Sequence, residues 1–97
     1  MVEIRETELF SVWLRALRDA TAKAKVAARV RRLAFGNPGD VRPVGRGIRE
    51  LRIQYGPGYR VYYVQRGAIL FVLLCGEDKA TQARDIATVK KLAKETV

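Results

Sequence analysis

The polar side chains of residues 50–79 have the types and spacing best suited to chemistry in this chain. Arg52 and Gln54 fall on one face of a predicted strand at 48–55, and Arg60 and Tyr62 fall on one face of the next, at 59–66. Side chains alternate between the two faces of a strand, so these four can share one surface. A guanidinium binds phosphate through two parallel hydrogen bonds. The pattern therefore predicts a phosphate-handling surface.

The two strands are predicted to form a hairpin whose turn is a Gly-Pro-Gly sequence centred on Pro57. This register places Gln54 opposite Arg60 and Arg52 opposite Tyr62. It also pairs apolar residues on the other face: Leu51 with Tyr63, and Ile53 with Val61. One face of the hairpin is then polar and the other apolar.

RNA cleavage is chemistry that such a surface can perform, because RNA supplies its own nucleophile, the 2′-hydroxyl. The chain has no histidine and one cysteine, and its acidic residues are scattered. These features argue against a histidine acid–base pair, a zinc site or a two-metal centre, and no cofactor is predicted. Arg52 and Arg60 are predicted to stabilise charge on the phosphate. Since a guanidinium is no base near neutral pH, Lys79 is the predicted proton-transfer group, and Tyr62 positions the base or the hydroxyl.

The positive charge is concentrated in one part of the chain. The net charge is +9, and residues 20–76 contain eleven basic residues, nine of them arginine, against only Asp40 and Glu50. A concentrated basic block is typical of proteins that bind a polyanion, and arginine favours phosphate. Beside the catalytic set, the predicted RNA-binding residues are Gln54, Arg49, Lys23, Arg29 and Arg32.

The periodicity of apolar residues predicts an α+β fold in one domain over residues 1–97. A short strand near residues 2–5 precedes a helix capped by Thr7, a second helix begins around 19–21, and a glycine- and proline-rich loop spans 36–47. Three strands follow, at 48–55, 59–66 and 68–75, and a last helix spans 81–94. The third of these strands is apolar on both faces, so it is expected to be central. The predicted architecture is a small, mainly antiparallel sheet with two N-terminal helices packed on it and a C-terminal helix.

The sequence favours a cytoplasmic protein without membrane contact. No leader peptide is recognisable, and the longest apolar run, 68–75, is far shorter than the roughly 20 residues of a membrane helix. Cys75 is the only cysteine, so no internal disulfide can form.

The chain resembles the RelE/ParE superfamily of toxin–antitoxin toxins, and within it the HigB-like branch of addiction-module killer proteins. The resemblance covers nearly the whole sequence and depends most on one string, YGPGYRVYY at 55–63. The other matching segments are FSVWL at 10–14, LAFGNPGD at 33–40, ELRI at 50–53, and GEDK at 76–79 followed by QARDI at 82–86.

This resemblance implies a toxin of a type II toxin–antitoxin system that cleaves mRNA on the ribosome without a metal and so inhibits translation. It also implies a cognate antitoxin, a small helix-turn-helix protein encoded next to the toxin, that neutralises it. The family's catalytic basic positions correspond to Arg52, Arg60 and Lys79. Gln54 stands where ribosome-dependent members often have a second basic residue, and the aromatic residue that some members carry early in the last helix is absent.

Two other functions fit the same residues. A ParE-type toxin shares the fold and inhibits DNA gyrase without cleaving RNA, although gyrase-directed members generally lack the full Arg52, Arg60 and Lys79 set. A plain basic nucleic-acid-binding module would explain the charge, but aromatic residues make up only 8% of the chain, which disfavours base stacking. Mapping of mRNA 5′ ends and DNA supercoiling in expressing cells distinguishes the three functions.

Overall fold

The fold is a five-stranded sheet with helices on both faces. The computed structural model describes residues 2–68, 70–78 and 86–95. Within them the sheet order is β1-β5-β4-β3-β2, in which β1 and β5 are parallel and the other neighbours are antiparallel. The predicted α+β class is confirmed. The elements are β1 (Glu3–Glu6), α1 (Glu8–Ala16), α2 (Ala20–Ala34), β2 (Val41–Gly45), β3 (Ile48–Ile53), β4 (Tyr59–Arg66), β5 (Leu70–Asp78) and α3 (Ile86–Glu95).

The first two helices begin at capping side chains. The Thr7 hydroxyl oxygen accepts a hydrogen bond from the backbone N–H of Phe10 at 3.1 Å, as predicted, and the hydroxyl donates to the Leu74 carbonyl at 2.6 Å. Asp19 caps α2 by accepting from the backbone N–H groups of Thr21 and Ala22. Each cap satisfies donors that the first helical turn leaves unpaired. The Thr7 cap also fixes α1 against β5.

The structure corrects the prediction that 36–47 is a loop throughout. Residues Val41–Gly45 form strand β2 at the edge of the sheet, paired with β3. Its proline and glycine suggested a loop, but proline is tolerated on an edge strand, where one row of backbone groups needs no partner. The early part of the predicted last helix, 81–85, lies outside the described residues.

The predicted hairpin register is wrong by two residues. Arg52 lies opposite Arg60, and Glu50, not Arg52, lies opposite Tyr62. On the other face Leu51 lies opposite Val61 and Ile53 opposite Tyr59, in place of the pairs with Tyr63 and Val61. The ladder ends at Ile53, so the loop spans 54–58 and is centred one residue earlier than Pro57. Because the shift is even, every side chain keeps its predicted face.

The two faces of the sheet carry separate apolar clusters. Helices α1 and α2 cover the first face, where Phe10, Val26, Leu51, Tyr63 and Leu73 are buried. Helix α3 covers part of the second, where Ile48, Tyr62, Val64, Leu74 and Val89 are buried. Strand β5 lies between β1 and β4 and contributes to both clusters, which confirms its predicted central place.

Trp13 packs beside the first cluster, in contact with the rings of Phe10 and Tyr59. Its own ring lies against Gly76 of β5, where a Cβ atom would overlap it. The indole therefore packs directly on the strand backbone, as an anchor of α1. In the part of the chain described, none of the helices has the length and apolarity to cross a membrane.

Candidate active site

Two arginines face each other on the second face of the sheet, beyond the part that α3 covers. Arg52 of β3 and Arg60 of β4 are direct cross-strand partners. Their side chains are 29% and 38% exposed. Two guanidinium groups that are partly accessible and held on adjacent strands can bind one phosphate from two sides.

The arginines lie against two buried carboxylates, Glu50 and Glu77. Glu50 Oε1 is 3.3 Å from Arg52 Nε, and its Oε2 is 4.0 Å from Arg60 Nη1. Glu77 Oε1 is 3.7 Å from Arg60 Nη1. The four charges sum to zero, so the cluster is an ion-pair network as well as a cationic surface. Isolated carboxylates at this depth would be costly, and the arginines offset that cost.

Tyr62 lies between the carboxylates and is 2% exposed. Its hydroxyl is 2.8 Å from Glu77 Oε1 and 3.4 Å from Glu50 Oε2. A phenol has one proton, and the shorter distance assigns it to Glu77. Burial, and then the bond to Glu77, raise the pKa of Tyr62 far above its ordinary value. Tyr62 is therefore a neutral hydrogen-bond donor in this site and does not act as a base.

The arrangement provides charge stabilisation and a proton acceptor within one small area. The pKa of Arg60 is raised, first by its hydrogen bond with the Tyr62 hydroxyl and then by the Glu50 and Glu77 carboxylates, against the effect of burial. Arg60 therefore stays charged. Glu77 is 3% exposed and Glu50 is 8% exposed, so Glu50 is the carboxylate nearer to solvent. Among the described groups of this cluster, it is the one placed to accept a proton from a bound substrate.

Two other predicted site residues that the structure describes, Arg49 and Gln54, lie outside this cluster. Arg49 lies on the opposite face of β3, where its side chain interacts with the Tyr63 hydroxyl. The Gln54 side chain lies in the loop after β3 and donates to Asp40 Oδ2 at 3.3 Å. Lys79, the predicted proton-transfer group, lies outside the described residues.

Arg29 and Arg32, two of the predicted RNA-binding residues of α2, line a cleft of about 500 Å³. Arg29 donates to the backbone carbonyls of Arg52 and Pro38 at 2.7 and 2.8 Å, and thereby ties α2 to β3 and to the preceding loop. Burial, and then the charge of Arg32, lower the pKa of Arg29. Lys23 Nζ donates to the carbonyl of Arg15. The cleft brings together predicted residues from three segments: Arg29 and Arg32 with Arg52 and Gln54, beside Lys25, Ala28, Asp40 and Ile53.

Glu50 and Glu77 are the site residues that sequence reasoning did not select. Glu50 shares the face of Arg52 by simple alternation. The sequence therefore already indicated Glu50 as an ion-pair partner for the arginines. Glu77 reaches Arg60 only through the pairing of β4 with β5, which shifts register between Tyr62 and Tyr63. Such a bulge has no local sequence signature. Across the described ranges, no three or more His, Cys, Asp or Glu side chains are grouped so that they could hold a metal ion.

Comparison with known proteins supports the superfamily that the sequence suggested. Residues 12–96 match the model of a family described as phage derived protein Gp49-like (DUF891). That family is of the RelE/ParE-like toxin type. A relative from Haemophilus influenzae, named as an uncharacterized protein, is 50% identical over 94 residues, which cover 97% of this chain and 95% of the relative.

Proposed function

Because this chain belongs to the Gp49-like family of phage-derived proteins, we propose that it is a HigB-like toxin of a type II toxin–antitoxin system that cleaves mRNA on the ribosome. The observation that carries the proposal is the direct opposition of Arg52 and Arg60 above the buried Glu50 and Glu77 pair. This set provides what metal-independent RNA cleavage needs: two fixed cations for the phosphate and a carboxylate beside them.

The proposed reaction is attack of a ribose 2′-oxygen on the adjacent phosphorus. The new bond closes a 2′,3′-cyclic phosphate, and the bond from phosphorus to the 5′-oxygen breaks. Glu50 accepts the proton of the 2′-hydroxyl, while Arg52 and Arg60 stabilise the extra negative charge of the phosphorane. Lys79 is the proposed donor of the proton that the departing 5′-oxygen takes up. Tyr62 holds Glu77 and so fixes the position of Arg60.

Expression of the wild-type chain and of Arg60→Ala in cells tests the activity. Removing one preorganised charge donor is expected to lower the cleavage rate by about 10²–10³ and to relieve growth inhibition. Mapped 5′ ends of cellular mRNA should show codon-associated cuts only with the wild-type chain. Arg18→Ala, which removes the same charge from an exposed position outside the cluster, is the matched control and should cleave normally. An Arg60→Ala protein that remains fully toxic at equal expression would contradict the assignment.

A second candidate is gyrase inhibition of the ParE type, and one observation favours it. Glu50 and Glu77 already neutralise the two arginines, as in a site that serves to hold structure. If expression leaves mRNA intact and relaxes cellular DNA, the protein acts on gyrase and the ribonuclease proposal is wrong.

The proposed partners are the ribosome with its mRNA and an adjacently encoded antitoxin, and the proposed location is the cytoplasm. An acidic segment of the antitoxin that lies over Arg52 and Arg60 would displace RNA and block cleavage. Co-expression of the neighbouring gene followed by affinity purification tests this. Recovery of a free, stable and harmless toxin from such cells would argue against both the antitoxin and the toxin assignment.

A further inference from the structure

A cationic cleft lies at the opposite end of the same sheet face from the Arg52–Arg60 pair. It has a volume of about 490 Å³. Its floor is formed by the buried Ile48 and Ala93, and none of its lining residues is acidic. Its walls carry five cations, which come from the turn between β2 and β3, from the end of β4 and from α3. We call this set the second basic cleft: Arg46, Arg66, Lys90, Lys91 and Lys94.

Arg46 occupies a backbone conformation that favours glycine. Its φ is +54°, and within the described ranges it is the one residue other than glycine with a positive φ. Its neighbours Gly45 and Gly47 also have positive φ. A side chain in this region costs about 1–2 kcal/mol relative to glycine, so the fold alone gives no reason for an arginine here. Strain retained at a surface turn points to a functional side chain.

Two further cations of the second basic cleft lie against neighbouring elements. Arg66 Nη2 donates to the carbonyl of Ala93 at 2.8 Å, and this bond holds the guanidinium against the end of α3. The end of the Lys90 side chain lies 3.5 Å from where a Cβ of Gly45 would stand, over the backbone of β2. The cleft therefore joins α3 to the end of β4 and to β2.

Stabilisation of the helix end explains only some of these charges. Cations in the last turn of a helix interact favourably with its dipole, and this accounts for Lys94. It does not account for Arg46, which lies in the turn between β2 and β3. Five like charges that line one cleft also repel one another, and a polyanion would lower that repulsion.

We propose that the second basic cleft binds the sugar-phosphate backbone of the same RNA strand whose scissile phosphate lies at Arg52 and Arg60, a proposal that rests on the proposed function. Ile48 and Arg52 share one face of β3 and are separated by four residues, a distance of about 13 Å. Stacked nucleotides rise about 3.4 Å each, so about four of them span the two sites. A strand bound at both sites is held in line for cleavage at one of them.

RNA binding by variants of the purified protein tests the proposal. The probes are fluorescein-labelled 2′-O-methyl RNAs of 2 and 12 nucleotides, which cannot be cleaved because the nucleophile is blocked. The test variant replaces three cleft residues, with glycine in the strained turn, and leaves Arg66 in place. The control variant removes the same charge from exposed positions on or beside α1 and α2. The substitutions are Arg46→Gly, Lys91→Gln and Lys94→Gln in the first, and Arg15→Gln, Arg18→Gln and Arg31→Gln in the second.

The cleft variant is expected to bind the 12-mer more weakly and to lower the slope of log affinity against log salt by about 2, for three lost contacts at about 0.7 each. Its affinity for the dinucleotide, which is too short to reach both sites and can still bind at Arg52 and Arg60, should change little. Thermal unfolding confirms that the variant is folded. Equal losses in both variants, or equal losses with both RNAs, would overturn the proposal. So would retained RNA affinity with lost binding of a 12-residue polyglutamate, which would indicate an acidic protein partner.

The outcomes separate this proposal from the proposed function. If the second basic cleft binds the 12-mer as expected but the wild-type protein leaves cellular mRNA intact, the RNA site stands and the nuclease assignment fails. If Arg60→Ala abolishes cleavage while the cleft variant binds and cleaves like the wild type, the second site is refuted and the nuclease assignment stands.

Discussion

The two faces of the sheet use similar residues for different purposes. On the face under α1 and α2, tyrosines and leucines pack into one continuous apolar cluster, and Trp13 closes on Gly76 without space for another atom. On the other face α3 covers the second apolar cluster, and the Arg52–Arg60 pair and the second basic cleft lie on either side of it. The packing of the first face serves the stability of the fold. The second face has less apolar packing, and it carries charged side chains that a ligand can reach.

Two adjacent leucines of β5 provide the most direct test of this difference. Leu73 and Leu74 are both fully buried, and they belong to opposite clusters. Leu73→Ala is expected to lower the free energy of unfolding by about 3–5 kcal/mol, because the residue belongs to the cluster that α1 and α2 both contribute to. Leu74→Ala should cost about 2–3 kcal/mol, since one helix covers it. Urea denaturation measures both, and equal or reversed costs would mean that the faces are equally packed.

The neighbouring tyrosines Tyr62 and Tyr63 of β4 test the difference between the two faces for polar groups. Tyr62→Phe removes the donor to the buried Glu77 carboxylate and should cost about 1.5–3 kcal/mol, the range for hydrogen bonds to charged groups. Tyr63→Phe removes a hydroxyl that interacts with the exposed Arg49, and should cost about 0.5–1.5 kcal/mol. Denaturation curves at pH 7 compare the two variants. A larger loss for Tyr63→Phe would show that the charged cluster contributes little to stability.

Alkaline pH is expected to reduce the contribution of Tyr62 to the free energy of unfolding, and this effect is smaller. Burial and Glu77 raise the pKa of folded Tyr62 above that of the unfolded chain. The resulting stabilisation is complete below the unfolded pKa, near 10, and is lost as the pH rises towards the folded value. The stability difference between wild type and Tyr62→Phe should therefore narrow above about pH 10, by about 1.4 kcal/mol per pH unit. Urea denaturation at pH 9, 10 and 11 measures it, and a constant difference would place Tyr62 in contact with water.

Local signals in the sequence predicted most elements of the fold. The Thr7 cap of α1 and the burial of β5 on both faces follow from capping and periodicity alone. Strand β2 was missed because its pairing with β3 compensates for Pro43 and Gly45, and no local propensity reports that pairing. The hairpin register was missed because five loop residues, with Gly56 and Gly58 at positive φ, replace the tighter turn.

The site was predictable only in the parts that depend on alternation. Arg52, Arg60 and Tyr62 keep their shared face because the register error is two residues, and an even shift preserves the face. The pairing of Arg60 with Glu77 depends on strand pairing next to the bulge between β4 and β5. Arg49 was assigned to the RNA surface although its parity places it on the other face. Residue type suggested a chemistry, while the partners of each charge required the tertiary structure.

The parallel pairing of β1 with β5 determines when certain contacts can form in the newly made chain. The Thr7 hydroxyl and the Leu74 carbonyl that it binds are 67 residues apart in sequence. At about 5–20 residues per second, a ribosome needs about 3–13 s to synthesise the intervening segment. Strand β1 leaves the ribosome before β5 and stays without this neighbour until β5 follows. Glu77 lies near the end of β5, so the Arg60–Glu77 contact forms only after β4 and nearly all of β5 have been made.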